Sequence, residues 1–184
     1  MSFRYEVRLS GEGGQGLVLA GKVLAEAAAI YDNLNATQSQ SYGPEARGGA
    51  SRSEVIISDE EIDYPKVVDL DLLLALTQES CDKYSNDLKE GALLVVDQEA
   101  VTRLPSGAFR VISLPIIRLA REKLGRVLVA NMVALGIIAG ISDIISVGAL
   151  RSAIETRVPK GTEELNLKAF QLGLEVVQKE LAEK

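Results

Sequence analysis

The sequence predicts an α/β fold, a doubly wound, mainly parallel sheet in one domain spanning residues 1–184. Three observations carry that expectation. Residues 5–30 read as strand, glycine turn and helix in immediate succession. Leu70-Asp71-Leu72-Leu73-Leu74-Ala75-Leu76 and Ala92-Leu93-Leu94-Val95-Val96 are nearly continuous apolar runs, the pattern of parallel strands buried on both faces. Helical stretches fall between and after these runs, so strands alternate with helices as a Rossmann-like sheet requires. At 184 residues the chain is long enough for one such core and too short for two ordinary ones.

The first unit organises the rest. Tyr5-Glu6-Val7-Arg8-Leu9 alternates, Ser10-Gly11-Glu12-Gly13-Gly14-Gln15-Gly16 is a glycine loop, and residues 17–30 form a helix almost free of charge. Gly11, Gly13 and Gly16 fit the Gly-x-Gly-x-x-Gly spacing, which turns backbone N–H groups toward an anion at a helix N-terminus. The same glycines would also let helix and strand pack closely, and the motif alone does not choose between the two. An NAD ribose would call for an acidic residue about 20 positions further on. There the chain reads Ala36-Thr37-Gln38-Ser39-Gln40-Ser41-Tyr42, without a carboxylate. The helix carries only Lys22 and Glu26, on one narrow face. A helix so apolar must be covered by its own sheet and by something further, for which a partner subunit is one candidate.

Composition narrows the function classes. Hydrophobic residues make up 47% and charged residues 25%, a globular balance, while aromatics at 4% leave the core to Leu, Val, Ile and Ala. A net charge of -6 with scattered Lys and Arg offers no basic stripe, which argues against nucleic acid. Met1-Ser2-Phe3-Arg4-Tyr5 lacks a signal-peptide pattern and the lone Cys81 gives no disulfide framework, so a cytoplasmic location is expected. With no His and one Cys, the chain cannot by itself assemble a cysteine-ligated iron-sulfur cluster or a His-based zinc site. Any redox centre must lie on another chain.

Beyond the first helix, a short strand is expected at 35–38, followed by the loop Ser39-Gln40-Ser41-Tyr42-Gly43-Pro44-Glu45-Ala46-Arg47-Gly48-Gly49. That loop is longer than a simple strand connection needs, and it holds one Arg and one Glu that no periodicity explains. Tyr42, Gly43, Pro44, Glu45, Arg47, Gly48 and Gly49 are therefore candidates for an interface or ligand loop. Residues 53–58 read as a third strand and 70–76 as the central one, with Thr77 as N-cap of a helix reaching toward Leu88. Glu90-Gly91 breaks the pattern before the strand at 92–96. Asp97 stands at its carboxyl end, where open α/β sheets bind ligands, or caps the following turn. An edge strand is expected at 109–113, then helices at 115–123, 127–142, 146–157 and 162–181. The charge-free stretch 127–142 holds Asn131, Gly136 and Gly140 and falls short of the roughly 20 residues of a membrane span, so it is a buried or interface helix. Asn131 is either a satisfied core amide or a partner contact. On the closing helix, Asn166 lies beside the stripe of Leu165, Ala169, Leu172 and Val176.

Three segments together resemble the gamma subunit of the 2-oxoacid:ferredoxin oxidoreductases, the pyruvate/ketoisovalerate oxidoreductase gamma family. They are Gly11-Glu12-Gly13-Gly14-Gln15-Gly16, the stretch from Thr37 through Tyr42-Gly43-Pro44-Glu45-Ala46-Arg47-Gly48-Gly49, and Asn131-Met132-Val133-Ala134-Leu135-Gly136. The resemblance runs along nearly the whole chain, and the second segment is most similar to members acting on 2-oxoglutarate. It implies oxidative decarboxylation of a 2-oxoacid to an acyl-CoA, with electrons passed to ferredoxin. It also implies alpha and beta partner subunits, with or without delta. Thiamine diphosphate, Mg²⁺ and iron-sulfur clusters would sit on those partners, since the diphosphate-binding Gly-Asp-Gly signature is missing here. This chain is then structural and CoA-facing, with no catalytic residue of its own. Gly11, Gly13, Gly14, Gln15 and Gly16 are the residues expected near a CoA phosphate. Two alternatives remain open: a free-standing nucleotide-binding dehydrogenase, which lacks its ribose acid and a His, and an adaptor that only joins subunits.

Overall fold

The computed structural model describes residues 2–41 and 50–183. Among the described residues six strands form one sheet in the order β2-β3-β1-β4-β5-β6. They are β1 (Arg4–Glu12), β2 (Asn35–Ser41), β3 (Ala50–Ser58), β4 (Leu70–Ala75), β5 (Leu88–Asp97) and β6 (Arg110–Leu114). The helices are α1 (Leu17–Glu26), α2 (Gln78–Tyr84), α3 (Ile116–Leu124), α4 (Ala130–Ile141), α5 (Val147–Arg157) and α6 (Glu163–Ala182). β1, β4, β5 and β6 run parallel, whereas β3 is antiparallel to both of its neighbours. α1 supplies the crossover from β1 to β2, two places away and parallel to it, and β3 returns between the two strands. The sheet is thus mainly parallel with one reversed strand.

Two sequence expectations are corrected. The helix after Thr77 ends at Tyr84, in a short 3₁₀ turn over Ser85–Asp87, instead of reaching Leu88. The next strand then starts at Leu88 and not at Ala92, because Glu90-Gly91 sits within it, at a shift in the pairing of β4 with β5. Gly91 takes a left-handed φ of 77° there, and the chain resumes its register at Leu93 opposite Leu72. Thr77 does cap α2, its Oγ1 accepting from the Ser80 N–H at 3.2 Å. The first helix ends its α-helical part at Glu26 and continues as a single π turn over Ala27–Tyr31.

The period-two alternation of the strands sorts the core into two layers. Val7, Leu9, Val55, Ile57, Leu72, Leu74, Val95 and Ile112 face α1, α3, α4, α5 and α6. Leu73, Ala75, Leu94 and Val96 face the other way, against Cys81 and Tyr84 of α2. Five helices therefore cover one face, and among the described residues α2 alone covers the other. At β1 and β3 that second face is ionic. Arg8, its side chain 5% exposed, bonds Glu54 at 2.7 Å and also Asp87, and lies 4.8 Å from the centre of the Tyr84 ring.

The apolar surplus of α1 and α4 has an internal cause. α1 packs on β3 and against α5 and α4 of this same chain, which accounts for the cover of its buried side. α4 is pressed against α6 backbone to backbone. A Cβ built on Gly136 would lie 2.0 Å from the Phe170 carbonyl oxygen, and one on Gly173 would lie 2.0 Å from that of Val133. Small residues at both contact points let the helix axes close to a distance that any side chain would prevent.

Candidate functional site

The carboxyl ends of the parallel strands define one edge of the sheet, where open α/β folds bind ligands. At that edge β1 runs into a turn closed by Gln15. Its Oε1 accepts from the Glu12 N–H at 2.7 Å while its own N–H donates to the Glu12 carbonyl at 3.3 Å. Gly14 and Gly16 hold left-handed φ values of 92° and 72°, which reverse the chain so that α1 starts directly at Leu17. Among the described residues no side chain caps α1, and its first turn has no acidic residue. Its leading N–H groups, with the positive end of the helix dipole behind them, are available to an anion.

The glycines divide into two kinds. A Cβ on Gly16 would stand 2.4 Å from Asn131 Nδ2, and one on Gly11 would stand 2.2 Å from Gln15 Oε1. Around Gly13 and Gly14 a Cβ would meet nothing within 4 Å among the described residues. Close packing therefore accounts for Gly11 and Gly16, while Gly13 and Gly14 face no packed neighbour among the described residues.

Asn131 is brought to the same place from the start of α4. Its Nδ2 donates to the Gly16 carbonyl at 3.0 Å and its Oδ1 accepts from the Met132 N–H at 2.8 Å, with the residue 3% exposed. It is a satisfied amide that pins the turn of the glycine loop from the carbonyl side. The candidates Tyr42, Gly43, Pro44, Glu45, Arg47, Gly48 and Gly49 lie outside the described residues. Their flanks do not: Ala50 registers opposite Glu12, and Ser41 opposite Arg52. Both ends of that segment thus leave the sheet at the edge that carries the glycine loop.

Asp97 is 1% exposed at the end of β5 and fully engaged. Its Oδ1 accepts from the N–H groups of Glu99 and Ala100 at 3.0 and 2.9 Å, and its Oδ2 from that of Ile117 at 2.8 Å. It caps the turn and the first residues of α3, so of its two sequence readings the cap is the one observed. β2 closes on Gln38-Ser39-Gln40-Ser41 and offers no carboxylate for a ribose.

A cavity of about 160 Å³ opens beside Gly16, where the first turns of α1, α4 and α6 converge. Asn131, Thr162, Leu165, Asn166, Leu128 and Arg126 line it. Asn166 Nδ2 donates to the carbonyl and hydroxyl oxygens of Thr162 at 2.9 and 3.0 Å, which fixes the start of α6. Arg126 is exposed and has no ion pair among the described residues. Sequence reasoning missed Arg126 and Thr162, since neither lies in a motif and both sit in the short connections that only the packing of α4 on α6 brings together. Away from this edge, burial followed by the charge of Asp82 pushes the Cys81 thiol up, so it is a protonated core residue.

Residues 6–176 match the pyruvate ferredoxin/flavodoxin oxidoreductase family. The chain belongs to that family. The 2-oxoglutarate synthase subunit KorC of Methanocaldococcus jannaschii is 49% identical over 180 residues, covering 97% of this chain and 96% of that protein. The crystal structure of a keto/oxoacid ferredoxin oxidoreductase gamma subunit from Geobacter sulfurreducens superposes with a TM-score of 0.89 at 54% identity, over 96% of this chain and 98% of that one. The ketoisovalerate oxidoreductase subunit VorA of Methanothermobacter marburgensis is 31% identical over 182 residues, 95% of this chain but 37% of that protein. In that relative the family module is therefore one part of a longer polypeptide. The resemblance carried by the three sequence segments is the one these comparisons find. No helix among the described residues is long and apolar enough to cross a membrane.

Proposed function

We propose that this chain is the gamma-type subunit of a cytoplasmic 2-oxoglutarate:ferredoxin oxidoreductase, and that its glycine edge receives a phosphate of CoA. The near full-length likeness to KorC supports the first part. One observation carries the second: among the described residues the N-terminus of α1 is uncapped and nothing lies over Gly13 and Gly14. Backbone N–H groups of Gly13, Gly14, Gly16 and Leu17 would hold the anion, that of Gln15 being spent on the Glu12 carbonyl, and Arg126 beside the adjoining cavity would add counter-charge. CoA, when bound, supplies the thiol that takes up the acyl group. Asn131 keeps the loop's N–H groups turned outward, and the segment 42–49, rooted at the same edge, is assigned to contact with CoA or a partner subunit.

Thiamine diphosphate, Mg²⁺ and iron-sulfur clusters belong on partner chains in this reading. A chain with no His and one buried Cys has no donor set for a cluster. Electron transfer to ferredoxin likewise runs through the partners. The dehydrogenase alternative has no supporting residue, because β2 ends without an acid.

The test is reconstitution. The purified chain should show no 2-oxoglutarate-dependent dye reduction and no saturable NAD or NADP binding by calorimetry. The partner subunits should need it for full CoA-dependent turnover. Turnover by the single chain at the rate of the complex would refute the subunit reading, and micromolar NAD binding would restore the dehydrogenase.

A further inference from the structure

β2 stands at one edge of the sheet, paired with β3 alone. Outward N–H and C=O groups of its alternate residues have no strand beside them among the described residues. Natural edges are blunted by charge, proline, a bulge or shortness. Asn35-Ala36-Thr37-Gln38-Ser39-Gln40-Ser41 has no charged residue and no proline, pairs with β3 residue for residue, and spans about 23 Å at the usual rise of a strand. The opposite edge is guarded: β6 is five residues long, begins with Arg110 and is stopped by Pro115.

A second observation lies alongside. Between β2 and the helical face of α1 runs an open groove of about 360 Å³. Ala25, Ala29, Ile30 and Ala36 form its apolar floor, with Lys22, Gln38 and the mutually paired Glu26 and Arg157 at its sides. Ile30 is 66% exposed, and the neighbouring Tyr31 38%. Lys22 has no ion pair among the described residues. An unpaired strand beside a groove of this kind is the arrangement that accepts an extended peptide as an added strand: the backbone supplies affinity and alternate side chains enter the groove.

We infer that β2 is the docking edge for an extended strand of the larger oxidoreductase chain, apolar on alternate residues and carrying a carboxylate that faces Lys22. This rests on the subunit reading above. The corresponding module of VorA is continuous with additional polypeptide, so a separate module needs a non-covalent counterpart. A second copy of this chain fits less well. Pairing β2 with itself would present Ala36, Gln38 and Gln40 on the groove side, setting glutamines over an alanine and isoleucine floor.

Amide hydrogen exchange of the full chain, alone and in the complex purified from its source cells, tests this directly. In the complex about every second amide of residues 35–41 should slow by roughly tenfold or more, while those of residues 110–114 stay unchanged. Ile30→Glu, at an exposed position, should keep the isolated chain's melting temperature and weaken association by about tenfold or more. If a complex forms without protection at residues 35–41, or Ile30→Glu binds as tightly as wild type, the inference is wrong while the subunit reading stands. If no complex with a larger oxidoreductase chain forms, both fall. Protection that instead grows with the concentration of the chain alone would assign the edge to a second copy and overturn the proposal.

Discussion

Substituting alanine at Gly13, Gly14 and Gly16 in turn should produce three well-separated losses of stability. At Gly16 the backbone is left-handed at φ 72°, ψ 23°, which costs a residue with a Cβ about 1–2 kcal/mol. The new Cβ would also stand 2.4 Å from Asn131 Nδ2, displacing the amide from the Gly16 carbonyl. A buried amide deprived of its partner adds about 1–3 kcal/mol, giving roughly 2–5 kcal/mol in all. At Gly14, with φ 92° and nothing within 4 Å, only the backbone term applies, about 1–2 kcal/mol. At Gly13 neither term applies, so the change should stay within about 0.5 kcal/mol. Urea unfolding of the purified chain measures all three. Asn131→Ala provides the internal control, because in that background Gly16→Ala meets no amide and should cost only its backbone strain. Equal losses at the three glycines, or strict additivity of Gly16→Ala with Asn131→Ala, would refute the division into packed and open positions.

Gly136→Ala should lose at least about 2 kcal/mol, since its Cβ would lie 2.0 Å from the Phe170 carbonyl oxygen and α4 must move off α6; retained stability in a melt would show that the helices are further apart. Arg8→Ala leaves the largely enclosed Glu54 only its longer 3.8 Å contact with Arg52 and should cost about 3 kcal/mol, most of it recovered when Glu54→Gln is added, as a denaturant double-mutant cycle would reveal. Burial, and next the charge of Asp71, pushes Tyr5 from 10.0 up to about 12. Between those values the folded chain keeps a proton that the unfolded chain has lost. That share of stability is complete below pH 10, drains away as pH rises toward 12, and should vanish from the alkaline limb in Tyr5→Phe; an unchanged alkaline limb would count against it.

The sequence carried the fold where side chains repeat with a period. Alternation in β1 and the apolar runs of β4 and β5 gave strand positions, and the glycine turn gave the start of α1. Direction was not legible: nothing in Ser53-Glu54-Val55-Ile56-Ile57-Ser58 says that β3 runs against β1, because an antiparallel strand shows the same alternation. Apolar excess was legible as burial but not as burial by whom. The cover of α1 by α5 and α4, and the contact of α4 with α6 through Gly136 and Gly173, depend on pairings between distant segments. The same limit held at the edge of the sheet. Gly11, Gly13 and Gly16 were visible as one spacing, yet their separation into packed and open positions required knowing where Asn131 sits. Arg126, a single cation between two helices, gave no sequence signal at all.

The central claim is that the glycine edge of this subunit receives a CoA phosphate, and Gly13→Asp in the assembled oxidoreductase tests it most directly. Gly13 has no described residue within 4 Å of its Cβ position, so the substitution should leave folding and assembly intact while setting a negative charge where the anion would bind. Steady-state kinetics should show the KM for CoA raised by about tenfold or more, which a loss of roughly 1.4 kcal/mol produces, with the KM for 2-oxoglutarate unchanged. A complex that assembles with Gly13→Asp and keeps the wild-type KM for CoA would contradict the account.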